Sequence, residues 1–211
     1  MAAMTSKEII LRILNHDEPP RIGFHFNDFK YTDFCYVASR VHIDEKPNPY
    51  ERWGAYEELL KLTGFSGEVR TDRFGNIYGR FNGKTKGECI RGAIREWSDF
   101  DNYLMPKIDP AYSGKLKGME LGKEKKFVLA GGFSIFSPLR DARLMANALA
   151  DTALEPDRVK AFCGRIADHE IAVAKTLAGC GIDGIMAGDD WGTQTNTFIS
   201  PESFRKLFKP A

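Results

Sequence analysis

Two adjacent carboxylates, an indole and an amide follow a short apolar run between glycines near the end of the chain. The run is Ile182 to Ala187, and the polar side chains after it are Asp189, Asp190, Trp191 and Gln194. The run is too short for a helix, and its apolar character is typical of a strand covered on both faces, as in parallel sheets. In α/β proteins ligands bind at the carboxyl ends of such strands, so these four residues are the first candidates for a site.

Alternation along the strand assigns different directions to the two carboxylates. Successive side chains of a strand point to opposite faces, so Asp189 and Asp190 cannot both enter one cavity while the strand stays regular. Asp190 shares its face with Gly188 and Gly184, which leave room for a ligand, and we expect it to act as the catalytic carboxylate. Asp189 is expected near the loop or the next helix, where it either accepts backbone amides or contacts substrate. Trp191 and Gln194 are expected to shape the mouth of the site.

Two further side chains stand where strands are predicted to end. Residues 22 to 26 are interpreted as a first strand, which places His25 near its end; a hydrogen-bonded, half-buried histidine is the competing interpretation. Residues 68 to 72 are interpreted as another strand, and Asp72 at its end is a second candidate catalytic carboxylate.

The elements that must position these groups alternate between helices and strands. Periodicity predicts helices near residues 6–16, 50–63, 98–104, 139–154 and 156–178, and strands near 22–26, 68–71, 127–130 and 183–187. Residues 29–48 are interpreted as a short helix and a loop, and residues 106–125 as a polar surface connection. The Asn82-Gly83 pair between two extended segments predicts a β-hairpin over residues 66–91, inserted into a single α/β domain.

Composition limits the class of partner. The chain has 211 residues, 43% of them hydrophobic, and 30 basic against 29 acidic side chains give a net charge of +1. Without a basic stripe or an apolar run of about 20 residues, the sequence favours a small-molecule partner over nucleic acid or membrane, and a cytosolic protein. The four cysteines, at positions 35, 89, 163 and 180, form no Cys-x-x-Cys pair, so neither a disulfide framework nor a zinc site is predicted.

Three stretches resemble the uroporphyrinogen decarboxylase superfamily. They are the N-terminal Thr5-Ser-Lys-Glu followed by Leu14-Asn-His-Asp-Glu-Pro-Pro-Arg21, then Asp72-Arg-Phe-Gly75, and above all residues 181–210, with Gly-Asp-Asp-Trp-Gly-Thr-Gln and Ile-Ser-Pro-Glu-Ser-Phe-Arg-Lys-Leu-Phe-Lys-Pro. The resemblance implies a (β/α)8 barrel of TIM type, on which the superfamily carries both a tetrapyrrole decarboxylase and corrinoid-linked methyltransferases.

The resemblance favours the methyltransferase branch. The decarboxylase presents an arginine-rich segment after its first strand to bind a substrate with many carboxylates, whereas residues 24–30 here, Phe-His-Phe-Asn-Asp-Phe-Lys, offer one lysine. A carboxylate at Asp190, where the decarboxylase has serine, would repel such a substrate. The implied reaction is transfer of a methyl group from a corrinoid-bound donor to a thiol or similar acceptor. A uroporphyrinogen decarboxylase of porphyrin biosynthesis is the alternative.

Length and metal ligands suggest an incomplete barrel. A (β/α)8 barrel takes about 250 residues, and the predicted strands number only four or five. We therefore expect an N-terminal portion of a longer enzyme, which as a fragment would self-associate. The superfamily's zinc ligands, a His-x-Cys pair and a later cysteine, are expected beyond residue 211. A corrinoid protein is the implied partner, and a non-catalytic remnant or partner subunit is the alternative from another functional class.

Overall fold

The computed structural model describes residues 4–28, 30–38, 41–43, 47–81, 83–109, 111–112 and 125–211. The described elements are, in chain order, α1 (Ser6–Leu14), β1 (Phe34–Ala38), α2 (Glu57–Thr63), β2 (Glu68–Thr71), β3 (Ile77–Arg80), β4 (Glu88–Arg91), α3 (Trp97–Asp101), β5 (Phe127–Phe133), α4 (Phe136–Arg143), α5 (Met145–Leu154), α6 (Pro156–Ala178), β6 (Gly184–Ala187) and α7 (Pro201–Ser203), which continues as a π-helical turn (Phe204–Phe208).

The chain forms two compact units, each made of three segments. Unit 1 comprises Met1–His42, Ile108–Phe133 and Ile171–Gly188, and unit 2 comprises Ile43–Lys107, Ser134–Glu170 and Asp189–Ala211. Unit 1 contains α1, a three-stranded parallel sheet and the last part of α6. Unit 2 contains a three-stranded antiparallel sheet and the other helices.

The parallel sheet of unit 1 has the strand order β1-β5-β6. Val37 pairs with Ala130, and Ala130 pairs with Ile185, so these three side chains share one face of the sheet. This face packs on the end of α6, where Val173 and Leu177 are fully buried with Ala130. The predicted strands at 127–130 and 183–187 are confirmed in this sheet as β5 and β6. The apolar run of β5 is covered in the way that parallel strands require, with Phe127, Val128 and Ala130 buried, whereas β6 is largely exposed.

The other face of the parallel sheet is open. Tyr36 of β1 and Met186 of β6 lie on it, and they are 42% and 46% exposed. At the edge, Ile185 of β6 is 50% exposed although it shares its face with buried residues. A short apolar strand with this much exposed surface is expected where another helix or strand would pack against it.

The predicted first strand at residues 22–26 is wrong, and β1 lies instead at Phe34–Ala38, within the stretch interpreted as a helix and loop. The cause is the buried carboxylate of Asp33. It accepts hydrogen bonds from Nη1 and Nη2 of Arg21 and from the backbone N–H of Phe24, each at 2.7 Å. The backbone N–H of Asp33 donates in turn to the Phe24 carbonyl. These bonds fold residues 21–33 back into a loop that ends where β1 begins.

The antiparallel sheet of unit 2 has the order β2-β3-β4, with Tyr78 opposite both Arg70 and Cys89. The predicted antiparallel pairing of the two segments around the Asn82-Gly83 turn is confirmed for β3 and β4. Asn82 and most of the predicted connection at 106–125 lie outside the described residues.

The helices of unit 2 bury one large core of aromatic and aliphatic side chains. Among its fully buried members are Phe136, Leu139, Val159 and Phe162. The long helix predicted at 156–178 is confirmed as α6. The helix predicted at 139–154 is interrupted at Leu144, whose φ of 64° breaks it into α4 and α5, and the helix predicted at 50–63 forms only over α2.

The architecture is therefore a mixed α/β fold, as predicted in its coarse class. Its sheets are open, and the described residues form no closed barrel. Of the helices that the structure describes, none is both long and apolar enough to cross a membrane.

Candidate functional site

The carboxylate of Asp189 lies at the N-terminus of α4. It accepts the backbone N–H groups of Ile135, Phe136 and Ser137 at 2.8, 2.9 and 2.9 Å, together with the hydroxyl of Ser137 at 3.0 Å and that of Ser134. The first N–H groups of a helix have no partner within the helix, and a negative charge there also interacts favourably with the helix dipole. Asp189 thus caps α4 from a distant point of the chain.

Two opposing effects act on the pKa of Asp189. Burial raises it, but the hydrogen bonds from Phe136, Ser134, Ile135 and Ser137 stabilise the ionised form and hold the pKa below its ordinary value. The carboxylate is therefore charged at neutral pH and engaged by five donors. Of the two roles open to Asp189, the structure provides the contacts for the first, acceptance of backbone amides; its contact with substrate stays a prediction.

Asp190 is placed differently. Its side chain is exposed, and its described contact is a long bond of 3.4 Å from the backbone N–H of Gly192 to Oδ1. The carboxylate of Asp190 therefore remains largely open to solvent, just after the end of β6. A carboxylate with open lone pairs can accept a proton or bind a donor from a ligand, and the catalytic role of Asp190 stays a prediction.

Trp191 and Gln194, predicted to shape the mouth, lie in different surroundings. The indole of Trp191 stacks on Phe136, with ring centroids 4.7 Å apart and planes at 26°, and it meets Phe204 and Phe208 edge-on. These are the contacts of a core side chain that anchors the loop. Gln194 is exposed in the turn that the Gly192–Thr197 bridge closes.

Asp72 organises the turn between β2 and β3. Its Oδ1 accepts the backbone N–H groups of Phe74 and Asn76, each at 2.9 Å, and its Oδ2 accepts the Asn76 amide at 2.9 Å. Aspartate often closes turns in this way, and Gly75, at φ 84°, supplies the left-handed position that the turn requires. The predicted strand before Asp72 is present, but it belongs to the antiparallel sheet.

The phenol of Tyr78 joins Asp72 to a residue that the sequence did not suggest. Its Oη is 2.8 Å from Oδ2 of Asp141, on α4, and 3.2 Å from Oδ2 of Asp72. A phenol has one proton to donate, so the shorter bond to Asp141 is the stronger. Burial, followed by the charges of Asp72 and Asp141, raises the pKa of Tyr78 and keeps it neutral. Asp141 lies 63 residues away in sequence, and no local pattern marks it.

A cavity of about 340 Å³ opens beside this cluster. It is lined by Tyr78, Gly87, Glu88, Cys89, Arg140, Asp141, Leu144 and Met145. Burial raises the pKa of the Cys89 thiol to about 12, so the sulfur is protonated, and it lies 3.2 Å from the carbonyl oxygen of Asp141. The positive φ of Leu144, unusual for a side chain of this size, adds backbone strain of the kind that recurs at functional sites.

His25 was expected at the end of a strand, and the structure places it in the loop before β1. Its Nε2 is 2.5 Å from the hydroxyl of Tyr36 on β1, and its ring meets Phe34 edge-on at 5.5 Å. The placement is thus a correction of the predicted one, since residues 22–26 form no strand. His25 lies in unit 1, and the carboxylates Asp72, Asp189 and Asp190 lie in unit 2.

Zinc is the metal that the resemblance implies, with its ligands expected beyond residue 211. Within them, no group of three or more His, Cys, Asp or Glu side chains is placed to hold a metal ion. Cys35, Cys163 and Cys180 are buried, and burial raises the pKa of Cys163 to about 12, which disfavours the thiolate that zinc requires. The residues that the structure describes therefore do not fit zinc.

Comparison with known proteins gave no relative: no family model, no curated protein and no solved structure matches the chain. The account of function therefore rests on the residues and their geometry, together with the resemblance in the sequence.

Proposed function

We propose that the parallel sheet of unit 1 is part of a (β/α)8 barrel of the uroporphyrinogen decarboxylase superfamily, incomplete in this chain. Three features support this. The strands β1, β5 and β6 are parallel, one sheet face packs on a helix, and the other face carries half-exposed side chains such as Tyr36 and Met186. In a barrel the second face would line the interior, where side chains from further strands fill the space.

We further propose that the chain belongs to an enzyme that transfers a methyl group from a corrinoid carrier to a thiol or similar acceptor. The observation that favours a methyltransferase over the decarboxylase is that two arginines of α4, the helix after β5, are already paired with aspartates. Arg140 binds Asp141 at 3.0 Å, and the buried Arg143 binds Asp151 at 2.7 Å. Guanidiniums already bound to aspartates are poor partners for the carboxylates of uroporphyrinogen, which need paired donors.

The same charge argument applies at the end of β6. An exposed carboxylate at Asp190 repels a substrate with many carboxylates, whereas it suits an acceptor that must lose a proton. In the transfer, the bond from methyl carbon to donor breaks with its electron pair left on the donor. The new bond forms from a lone pair of the acceptor, whose proton passes to a base. In the proposal Asp190 is that base. Asp72, which accepts a hydrogen bond from Tyr78, is a second candidate carboxylate.

One observation favours a function of another class. The open face of the parallel sheet and the exposed apolar residues of β6 form a surface that could be covered by a related subunit. A non-catalytic partner subunit is therefore the second candidate.

An assay of the purified chain separates these candidates. The protein is mixed with methylcobalamin and a thiol such as coenzyme M, and loss of the methyl donor is followed by its visible absorbance. The proposal expects protein-dependent loss of donor and formation of the methyl thioether. Release of CO2 from uroporphyrinogen instead would establish the decarboxylase. Neither reaction, with the chain bound to a related subunit, would establish the partner role.

A further inference from the structure

A second cavity lies at the loop end of the antiparallel sheet, next to the cavity beside the Tyr78 cluster, with which it shares Gly87 and Glu88. Its volume is about 390 Å³, within the range of about 300–1,000 Å³ that small-molecule sites occupy. It is lined by Phe65, Gly79, Arg80, Phe81, Thr85, Lys86, Gly87, Glu88 and Ile90. We call it the hairpin cavity. Nothing in the proposed methyl transfer uses it.

One wall of the hairpin cavity is aromatic. The rings of Phe65 and Phe81 are 4.7 Å apart at an angle of 37°, and Phe81 is 57% exposed. Gly79 makes this wall possible, because a Cβ there would come within 2.9 Å of the Phe65 ring and of Ile90. The wall is thus preformed, and Phe81 offers part of its surface to a flat apolar group.

The loop part of the lining carries positive charge. Lys86 lines the cavity, and Lys84, which is not a lining residue, precedes it in the same exposed loop. Neither ammonium group has a hydrogen bond or ion pair within the described part of the chain, although the backbone N–H of Lys84 donates to the Phe81 carbonyl. Arg80 is engaged differently, since its Nε binds Glu68 at 2.8 Å. Glu88 contributes one negative charge to the lining. The two lysines outnumber it, so the loop side of the cavity favours an anion.

We propose that the hairpin cavity binds a small flat carboxylate, such as an aromatic acid. The ring of the ligand packs against Phe81 and Phe65, and its carboxylate accepts hydrogen bonds from the ammonium groups of Lys84 and Lys86. The aromatic wall, together with the ammonium group of Lys86 in the lining and that of Lys84 nearby in the loop, selects both features of the ligand. A neutral aromatic molecule would lose the charge interaction, and a simple anion would lose the stacking.

The test uses benzoate as the probe, with benzyl alcohol, benzylammonium and acetate as comparison ligands. Binding is followed by amide chemical shifts in nuclear magnetic resonance and by tryptophan fluorescence. Trp53 is a suitable reporter because it lies against Gly87, where an added Cβ would come within 2.4 Å of its ring. The expected result is saturable binding of benzoate, with shifts concentrated at Phe65, Phe81 and residues 83–87, and affinity at least about 5-fold above each comparison ligand.

Variants assign the binding to the residues named. Phe81→Ala and the double variant Lys84→Ala/Lys86→Ala should each weaken benzoate binding about 5- to 10-fold. Phe26→Ala and Lys160→Ala, which alter an exposed ring and an exposed lysine elsewhere, should leave it unchanged. The inference would be overturned if benzoate produced no saturable shift, if benzylammonium bound as well as benzoate, or if the two cavity variants bound it like the wild type. Because methyl transfer does not enter this experiment, its outcome is independent of the proposed function.

Discussion

The carboxylate of Asp189 accepts the backbone N–H of Phe136 at 2.9 Å, although the two residues are 53 positions apart. This bond, with its neighbours at Ile135 and Ser137, fixes the loop after β6 to the start of α4. The packing of Trp191 on the Phe136 ring strengthens the same junction. The exposed Asp190 is thereby held between two anchored residues.

Replacing Asp189 by alanine should lower the free energy of unfolding by about 2–3 kcal/mol, because several partly buried N–H groups lose a charged acceptor. Chemical denaturation of the wild type and the variant measures this difference in the free energy of unfolding. Asp190→Asn is the matched control, expected to change stability by less than about 0.5 kcal/mol. Equal losses for the two variants would contradict the assignment of Asp189 as the structural carboxylate.

The lowered pKa of Asp189 also predicts a pH dependence. A carboxyl whose pKa is lower in the folded state stabilises it above its unfolded pKa of about 3.9, and this contribution is lost as the pH falls through the folded value. The stability difference between wild type and Asp189→Ala should therefore be constant above about pH 5 and shrink below about pH 4. A difference that grew towards low pH would have the wrong sign.

Two glycines offer a test of packing in unit 2. A Cβ at Gly92 would lie 2.0 Å from the carbonyl oxygen of Ala142, whereas one at Gly164 of α6 would meet nothing within 4 Å. Gly92→Ala should cost about 3 kcal/mol or more, because the backbone must move. Gly164→Ala should instead stabilise by roughly 0.5–1 kcal/mol, through helix propensity. Melting temperatures of both variants check the contrast, and a tolerated Gly92→Ala would refute the close approach.

The Tyr78 cluster predicts two results. Tyr78→Phe should cost about 1–2 kcal/mol, since the partly buried Asp141 and Asp72 lose a donor, whereas Tyr31→Phe, at a residue 59% exposed, should be neutral. Because the pKa of Tyr78 is raised, its contribution to stability is present below about pH 10 and lost as the pH rises above that unfolded value. In alkaline titration of the folded protein to about pH 11, wild type and Tyr78→Phe should therefore show equal tyrosinate absorbance. One fewer tyrosinate in the variant would contradict the shift.

Metal analysis provides a further prediction. With the described cysteines and histidines apart from one another, the purified 211-residue chain should contain far less than one zinc per molecule after dialysis. One tightly bound zinc per chain would mean that a site assembles from residues outside the described part.

The elements near the candidate site could be predicted where the local pattern and the packing agree. The periodicity of α6 predicted a helix whose apolar residues, such as Phe162 and Ile166, are buried, and the apolar run before Gly188 predicted β6, although β6 itself is largely exposed. The start of α1 likewise depends on local partners, since Thr5 and Glu8 form a capping box there.

The failures have long-range causes. Residues 22–26 alternate like a strand, but the buried Asp33 binds Arg21 and Phe24 and folds the segment into a loop. Asp141 reaches Tyr78 across 63 residues, and no pattern in either segment announces the contact. Trp191 stacks on Phe136 of α4, and this contact also joins segments that are far apart in the sequence.

The central claim is that Asp190 acts in the chemistry, whereas Asp189 acts in the structure. The most direct measurement compares Asp190→Asn, Asp189→Asn and the exposed control Asp168→Asn for both methyl-transfer rate and melting temperature. The account predicts that Asp190→Asn lowers the rate about 100-fold or more, as loss of a general base does, with an unchanged melting temperature. Asp189→Asn should lower the melting temperature, and Asp168→Asn should change neither. Full activity of Asp190→Asn would contradict the account.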